Sequence, residues 1–365
     1  MRRLRSEYVD AVTMNDILEW TNERLRYYRS PNEWDNMGMC VYIDDRRVEL
    51  RVTAKYHGSV ATYILRKDDK EVYSTVNGGD AYTLLSREYS KEMGHKIPHW
   101  KDDCPYASQA ILAYRTDTNN KRVYAYGYDM SKAYNWGLSQ MMPDTSKLVG
   151  DHREVREGEI GFFVSEWEVC PYDPKVKPND ICYASFGADA LYMAEPGQYA
   201  QWIFKAIESP FKKFSQRWFE RSRSDDPFQK QKAKDIVNFA VGYLQRVNPF
   251  LRCAVIEHCN RRILDLMDEN TIYVNTDSII STVPRPDLEI GKTPGLWKLE
   301  HENEPFAHVG FSYQWGYGGK DMHYRAVPQS WFKDGFDILT DDLPGEDENK
   351  YYYDPFENRV KENRK

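Results

Sequence analysis

The sequence predicts an α+β fold with a β-rich N-terminal region, a helical middle and a strand hairpin near residue 275. Short runs rich in β-branched and aromatic residues dominate positions 39–76, which favours several strands. Two long amphipathic segments between positions 196 and 244 favour helices. The polar turn Asn275-Thr276-Asp277 lies between two apolar runs, which predicts a tight hairpin. Strands and helices grouped in this way are typical of an α+β chain.

The N-terminal region predicts a small module. Positions 14–29 predict a helix, because Asn15 can cap an apolar stripe that includes Leu18 and Leu25. The following strands are separated by charged or glycine-containing turns, and a second helix is predicted over 80–93. The predicted strands lie at 40–43, 48–56, 60–65 and 72–76.

The rest of the chain alternates strands with longer helices. Positions 110–114 and 123–128 predict strands, and the second strand leads into Asp129. Helices are predicted over 196–214 and 227–244. Another helix is predicted to begin at Asn248-Pro249, since asparagine is a good cap and proline suits the first helical position.

Composition excludes several classes of protein. The 365 residues are 41% hydrophobic and 29% charged, which allows a substantial core and about two or three domains. The six cysteines form no C-x-x-C pair, and the eight histidines show no zinc-site spacing. No apolar run approaches the ~18 residues of a membrane span. We therefore expect a cytoplasmic protein, in a bacterial host, with no membrane partner.

Charge is distributed unevenly along the chain. The net charge is −7, yet the stretch from Gln201 to Lys234 holds nine Lys or Arg against four Asp or Glu. A local excess of positive charge can attract phosphates, although a solvated helix face would explain the same pattern.

Three segments carry residues that suit nucleotidyl transfer. Asp129 ends an apolar run, and Asp277 lies in the predicted hairpin. Lys234, Asn238 and Gly242 recur every four residues, so they share one face of a predicted helix. Two carboxylates can hold divalent metal ions, and a lysine can contact a triphosphate.

In this order the segments resemble the motifs of family B DNA polymerases, and within them the bacteriophage type that includes protein-primed enzymes. Positions 129–134 resemble D-x-x-S-x-Y-P, 234–242 resemble K-x-x-x-N-S-x-Y-G, and 273–278 resemble Y-x-D-T-D-S. Positions 290–300 are similar to the G-x-W-x-x-E segment of that family. Each motif is degenerate alone, but four in order are specific, and the resemblance spans roughly residues 110–315.

The resemblance implies a right-hand architecture: a palm with an antiparallel sheet, helical fingers and a reduced thumb, beside the small N-terminal β-rich domain. No exonuclease domain is recognisable in the N-terminal module, which is shorter than such a domain usually is, so proofreading is not expected. The implied division is 1–108 for the N-terminal module, 109–195 for the first part of the palm, 196–247 for the fingers, 248–300 for the second part of the palm, and 301–365 for the reduced thumb and charged tail.

Catalytic roles follow from the resemblance for two aspartates. Asp129 and Asp277 would hold two Mg²⁺ ions together with the backbone of Met130, and Mn²⁺ is an alternative metal. Each aspartate alone is better explained as an ordinary turn residue, because aspartate favours turns. The order and spacing of the motifs favour the metal-binding interpretation.

Substrate contacts follow from the same resemblance. Lys234 would contact the triphosphate, and Tyr134 would lie under the sugar and reject a 2′-hydroxyl; an exposed helix lysine and a core tyrosine are the alternatives. The implied nucleotide-binding set is Lys234, Lys230, Arg223, Tyr134, Asn238 and Lys132. The implied DNA-binding set is Gly242, Tyr273, Thr276, Ser278, Lys298 and Tyr313.

The chain departs from the family pattern in three places. Asn275 replaces the first aspartate of the third motif, which removes one negative charge. Lys132 and Asn135 stand where the first motif has Ser and Pro, and the thumb pattern K-x-Y keeps only Tyr313. We therefore expect weaker metal binding and a primer grip that depends on other residues or on a partner protein.

The leading functional hypothesis is a template-directed DNA polymerase that replicates phage or mobile-element DNA. Its partners would be template–primer DNA and dNTPs, with a primer (terminal) protein, a single-strand binding protein or a separate subunit as further candidates. One alternative is a polymerase-like scaffold with weakened catalysis, which Asn275 favours. Another is a transferase that adds the first nucleotide to a protein hydroxyl.

Overall fold

The computed structural model describes residues 76–100, 121–165, 199–309, 312–316 and 337–339, together with the backbone of the strands outside these ranges. The helices are α1 (Gly78–Met93), α2 (Ala133–Ser139), α3 (Lys212–Arg221), α4 (Pro227–Leu244) and α5 (Pro249–Leu264). The strands are β1 (Glu7–Tyr8), β2 (Met37–Ile43), β3 (Arg46–His57), β4 (Val60–Lys67), β5 (Lys70–Ser74), β6 (Ala113–Arg115), β7 (Arg122–Met130), β8 (Met142–Gly150), β9 (Glu159–Val164), β10 (Ile181–Ser185), β11 (Trp202–Ile207), β12 (Thr271–Asn275), β13 (Ser278–Ser281), β14 (Trp297–Val309), β15 (Ser312–Trp315), β16 (Tyr324–Arg325), β17 (Tyr351–Asp354) and β18 (Arg359–Glu362).

The chain divides into two compact units. The first combines Met1–Gly94 with Lys213–Tyr243, and the second combines His95–Lys212 with Leu244–Lys365. The five domains predicted from the sequence stay a prediction.

In the part of the first unit that the structure describes, there are a five-stranded sheet and three helices. The sheet has the order β1-β2-β3-β4-β5, with β1 parallel to β2 and every other pair antiparallel. Helix α1 begins at an asparagine cap, where Asn77 accepts a hydrogen bond from the Asp80 amide at 2.8 Å. Its buried Glu88 forms an ion pair at 3.0 Å with Arg217 of α3, so these two helices are held together.

The second unit is built on a seven-stranded antiparallel sheet in the order β16-β15-β14-β7-β13-β12-β6. Strand β7 lies in the middle, paired with β13 on one side and with β14 on the other. A central strand has neighbours that satisfy both of its backbone edges, so its position is strongly constrained. This strand ends at the residues that carry the candidate chemistry.

Helix α5 connects this sheet to a second one, which has four strands in the order β10-β9-β11-β8. The helix begins as predicted: Asn248 caps it by accepting a hydrogen bond from the Leu251 amide, and Pro249 follows at the first helical position. Phe250 packs against Phe162 and Phe204 of the four-stranded sheet, with ring centroids 4.9 and 5.1 Å away.

The C-terminal half of α5 faces the seven-stranded sheet. Cys259 and Ile263 join a buried apolar cluster with Met130, Val274 and Ile279 from the sheet. The helix therefore holds in position the strands that carry the two candidate aspartates. Burial of an apolar cluster of this kind is the main favourable contribution to the stability of the unit. Within the described part of the chain, no helix is both long and apolar enough to cross a membrane.

Most predicted elements are confirmed. The α+β class is confirmed, as are the strand-rich stretch before residue 76, the helix over 227–244 and the hairpin at 273–278. The helix predicted from residue 80 begins two residues earlier, and the strand predicted at 110–114 lies at Ala113–Arg115. The helix predicted over 14–29 lies outside the described residues.

The helix predicted over 196–214 is wrong. The structure has strand β11 there, and helix α3 begins only at Lys212. Pro210 explains part of the error, because proline in a helix interior removes a hydrogen bond and clashes with the preceding turn. The Trp202–Ile207 segment is rich in aromatic and β-branched residues, and it pairs with strands on both sides, so tertiary pairing decides its conformation.

Replacing Gly137 with alanine should destabilise the second unit by about 1–3 kcal/mol, because a Cβ there would lie 2.6 Å from the Val255 carbonyl oxygen of α5. Urea unfolding checks this. Gly242→Ala is the matched control: nothing lies within 4 Å of a Cβ at Gly242, so alanine should be neutral or stabilising by up to about 1 kcal/mol. Equal effects of the two substitutions would contradict the close packing of α2 on α5.

Candidate active site

The C-terminal end of β7 places Asp129 between two neighbouring strands. Asp129 lies opposite Ser278 of β13 on one side and opposite Lys298 of β14 on the other. The next residue, Met130, is buried in the cluster under α5. Because alternate residues of a strand face opposite sides, burial of Met130 turns the Asp129 side chain toward the opposite face of the sheet.

The hairpin between β12 and β13 carries Asp277. Its turn contains Thr276, a β-branched residue with a φ of 60°, which is an uncommon conformation that local contacts must hold. The Thr276 hydroxyl lies 2.8 Å from Asp277 Oδ1, and the Asp277 amide donates to the Asn275 carbonyl at 2.9 Å. The tight turn thus fixes the carboxylate of Asp277 by short local bonds.

A backbone hydrogen bond joins the two aspartate segments. The Met130 amide donates to the Asp277 carbonyl at 2.7 Å. The turn that carries Asp277 is therefore tied to the residue that follows Asp129. The structure brings together Asp129, Met130, Asp277, Thr276, Ser278 and Lys298 from the predicted site.

The electrostatics of the pair indicate an excess of negative charge. Burial, and then the neighbouring charge of Asp277, raise the pKa of Asp129 to about 6. Lys298 acts in the opposite direction, since its ammonium lies 3.2 Å from Asp129 Oδ2. Two carboxylates that repel each other in a partly buried place favour a bound cation.

The donor set fits a divalent metal. Two carboxylates and a nearby backbone carbonyl at Met130 are the oxygen ligands that Mg²⁺ prefers, with substrate phosphates and water completing its shell. Among the described residues no group of three or more His, Cys, Asp or Glu could form an all-protein metal cage.

The side chains of Asn275 and Tyr273 are buried in the core of the unit and are not exposed to solvent. Both are buried, and the Asn275 side-chain amide donates to Tyr273 Oη at 3.3 Å. The Tyr273 ring packs against Phe306 and Tyr313, with centroids 5.8 and 5.5 Å away. Tyr273 therefore supports the hairpin by packing in the core beneath it. A buried ring cannot contact DNA directly, so its predicted role in DNA binding would be to position the hairpin.

The first motif continues into helix α2. Lys132 takes a left-handed conformation with a φ of 53° at the start of this helix, and Tyr134 lies in its first turn, partly buried. Burial lowers the pKa of Arg252 on α5, and Tyr134 is a neighbouring group that counteracts this. Ser131, between Met130 and Lys132, donates its backbone amide to Leu296 and its hydroxyl to Gly291.

Four of the predicted nucleotide and DNA contacts form an exposed stripe on α4. The stripe consists of Lys230, Lys234, Asn238 and Gly242, each of which is exposed. Arg223 follows α3, and its guanidinium lies 6.0 Å from the centre of the Phe219 ring. This stripe belongs to the first unit, and its role toward the aspartates stays a prediction.

Arg285 is a supporting residue that the sequence did not indicate. Its amide donates to Tyr128 Oη at 2.9 Å, and its guanidinium bonds Asp287 at 2.6 Å and also the Leu266 carbonyl. Hydrogen bonding to Asp287 raises the pKa of Arg285. The buried guanidinium thus connects the segment before β12 to the segment after β13, and the Arg285 amide connects the latter to β7. Only the three-dimensional structure reveals this role.

The second unit is mixed α+β, and its central antiparallel sheet presents two carboxylates at adjacent strand ends. Solved structures of the Phi29 DNA polymerase are similar to this chain. With single-stranded DNA the match has a TM-score of 0.53 at 15% identity; the primer-template binary complex gives 0.53 at 15%, and an orthorhombic crystal form gives 0.51 at 15%. Each match covers 70% of this chain and 61% of the polymerase chain.

This likeness shows a distantly related fold. The chain spans about three-fifths of the length of the polymerase structures that it matches. No protein-family model matches the chain, and no curated protein matches its sequence.

The raised pKa of Asp129 predicts a pH-dependent stability. The ordinary pKa is 3.8 and the folded-state pKa is about 6, so the folded chain retains a proton that the unfolded chain releases between these values. Deprotonation of Asp129 therefore lowers the free energy of unfolding as the pH rises from about 4 to about 6 and above. Asp129→Asn should raise the free energy of unfolding by about 1–3 kcal/mol at about pH 8, and the gain should vanish at about pH 4.

Chemical denaturation at the two pH values measures this difference. Glu302→Gln on β14 is the control, because Glu302 is an exposed carboxylate on the same strand as Lys298. An Asp129→Asn variant that is no more stable than wild type at about pH 8 would contradict the raised pKa of Asp129, which burial and the charge of Asp277 cause.

Proposed function

We propose that the chain is a template-directed DNA polymerase that joins a dNTP to the 3′-hydroxyl of a primer or to the hydroxyl of a protein primer. The seven-stranded sheet would be its palm, helices α3 and α4 its fingers, and the segment after residue 300 its reduced thumb. No proofreading is proposed. The enzyme would act on phage or mobile-element DNA in the host cytoplasm.

The observation that carries this proposal is the junction of β7 with the β12–β13 hairpin. It brings Asp129 and Asp277 to one end of the sheet through the 2.7 Å bond between Met130 and Asp277. The chain also has a fold similar to that of a DNA polymerase whose structure has been solved with primer-template DNA. Neither observation alone would support nucleotidyl transfer, but the motif order in the sequence links them.

In the proposed reaction, the primer oxygen attacks the α-phosphorus of the dNTP, a new P–O bond forms, and pyrophosphate leaves. Two Mg²⁺ ions held by Asp129, Asp277 and the Met130 carbonyl would supply charge neutralisation for the attacking and leaving oxygens. Asp129 and Asp277 contribute fixed negative charge at one strand junction. The chain's own task is positioning, because phosphoryl transfer needs little other chemistry from the protein.

Residues around the carboxylates would orient the substrates. Tyr134 in the first turn of α2 would exclude a ribose 2′-hydroxyl, and Thr276 and Ser278 would hold the hairpin at the primer end. The exposed α4 stripe of Lys230 and Lys234 would attract the triphosphate. Template–primer DNA and dNTPs are therefore the proposed partners, and a primer protein or another subunit would supply the grip that the incomplete thumb pattern lacks.

A polymerase-like scaffold is the second candidate, and two features of the site's charge favour it. Asn275 is uncharged and buried, and Lys298 neutralises part of the charge of Asp129. Both features weaken the attraction of the site for a metal ion. A scaffold of this kind would bind template DNA without extending a primer.

Primer extension should separate these candidates. With a primed template, dNTPs and Mg²⁺, the wild type should extend the primer, and Asp277→Ala should not, because one of two metal-holding carboxylates is lost. Mn²⁺ should also support extension. Replacement of dNTPs by rNTPs should abolish most of it, which would support the role of Tyr134.

Glu302→Ala is the matched control, since it removes an exposed carboxylate from β14 and should leave extension intact. Template binding is measured in parallel by fluorescence anisotropy. A wild type that binds the template but extends no primer with either metal, nor with a supplied primer protein, would overturn the polymerase proposal in favour of the scaffold.

Lys234→Ala should raise the KM for dNTP by about 10- to 100-fold, the worth of one charge-assisted contact, with a smaller effect on template affinity. Steady-state extension kinetics at varied dNTP concentration measure it. Lys232→Ala serves as the comparison, because Lys232 is partly buried and lies on a different face of α4. Equal effects of the two substitutions would show that α4 acts only through its general positive charge.

A further inference from the structure

We propose that Lys298 is an internal counter-ion of Asp129 that a divalent metal must displace, and that Glu300 receives its ammonium when it moves. This inference rests on the proposed metal-dependent function of the same site. It assigns Lys298 a role in controlling metal occupancy, distinct from the DNA contact that the family resemblance implies. The argument depends on three features of strand β14.

The first feature is that the backbone of Lys298 is fixed in position. Lys298 lies directly opposite Asp129 in the β7–β14 ladder, between the pairs Trp297–Met130 and Leu299–Tyr128. Trp297 is buried in the cluster under α5. The backbone of Lys298 therefore cannot move away from Asp129, and only its side chain can rearrange.

The second feature is that the lysine has two partners. Its ammonium lies 3.2 Å from Asp129 Oδ2 and 3.7 Å from Glu300 Oε1. The Lys298 side chain is 43% exposed and that of Glu300 is 50% exposed, so neither is packed rigidly. A small rotation of the side chain can transfer the ammonium from one carboxylate to the other.

The third feature is the irregular ladder that directs Glu300. The pairing of β14 with β7 shifts between Leu299 and His301, so Glu300 is the residue without a partner across the ladder. Bulges of this kind redirect a side chain and often lie beside active sites. Here the bulge directs a carboxylate to the ammonium that already touches Asp129.

Electrostatics explain why the ammonium must leave. A divalent cation on Asp129 would lie within a few ångströms of a positive charge that is bound to the same carboxylate, and at such distances like charges repel strongly. The charged groups that act on Asp129 are two carboxylates, Asp277 and Glu300, and one ammonium, Lys298. Movement of Lys298 toward Glu300 leaves Asp129 and Asp277 to the metal while the lysine keeps a partner.

Metal binding to the full-length chain tests the proposal without any catalysis. Mn²⁺ is titrated in the absence of DNA and nucleotide, and free Mn²⁺ is measured by electron paramagnetic resonance. Lys298→Met keeps the length of the side chain but removes its charge, and it should tighten Mn²⁺ binding about five- to tenfold. Lys292→Met is the matched control, because Lys292 is an exposed lysine of the preceding loop, and it should bind Mn²⁺ as the wild type does.

A double-mutant cycle tests the role of Glu300. Glu300→Gln should weaken Mn²⁺ binding about two- to fivefold in the wild type, because the displaced ammonium loses its second partner. In the Lys298→Met background the same change should have no effect. An equal effect in both backgrounds would mean that Glu300 acts by its own charge, and it would overturn the proposed transfer.

Other outcomes separate this inference from the proposed function. Unchanged Mn²⁺ affinity in Lys298→Met, with the fold verified by circular dichroism, would overturn the inference even if the wild type extends primers. Tighter binding in Lys298→Met would support it even if no primer is extended, in which case the polymerase proposal alone fails. Absence of Mn²⁺ binding in both wild type and Lys298→Met would overturn the inference.

Discussion

The hydrogen bond from the Met130 amide to the Asp277 carbonyl is the constraint on which the site depends. It closes the junction between the central strand β7 and the β12–β13 hairpin at the end of their ladder. Because β14 flanks the other edge of β7, the position of Lys298 is set by the same strand. Strand β7 therefore determines the positions of three charged groups from distant parts of the sequence, which are Asp129, Asp277 and Lys298.

Two apolar clusters hold the seven-stranded sheet around β7 rigid. Helix α5 covers one face of the sheet through Cys259 and Ile263, and an aromatic cluster that includes Tyr273 and Phe306 fills the other. Dense packing on both faces resists movement of the strands, since packed interiors deform little. Such rigidity allows two carboxylates to remain close although each disfavours the charge of the other, an arrangement typical of functional sites.

The sequence was sufficient for the elements with strong local signals. Asn248-Pro249 determines the start of α5 by capping, and the polar turn at Asp277 determines the hairpin. The segment Trp202–Ile207 was assigned wrongly because its pairing partners are distant in sequence. Motif order identified Asp129 and Asp277, whereas the Lys298–Asp129 pair depends on the register of β14 against β7, which no local pattern encodes.

The charge of the site is lower than its motifs alone suggest, and the structure gives a physical reason. Asn275 is buried beside Tyr273, so an aspartate there would place a third carboxylate in the same desolvated region, at a high cost unless a cation compensated it. An asparagine keeps the hydrogen bond without that cost. Lys298 reduces the remaining charge further. Both features reduce the repulsion between charges in the site, and under the proposed function metal binding would strengthen when substrate phosphates add their own charge.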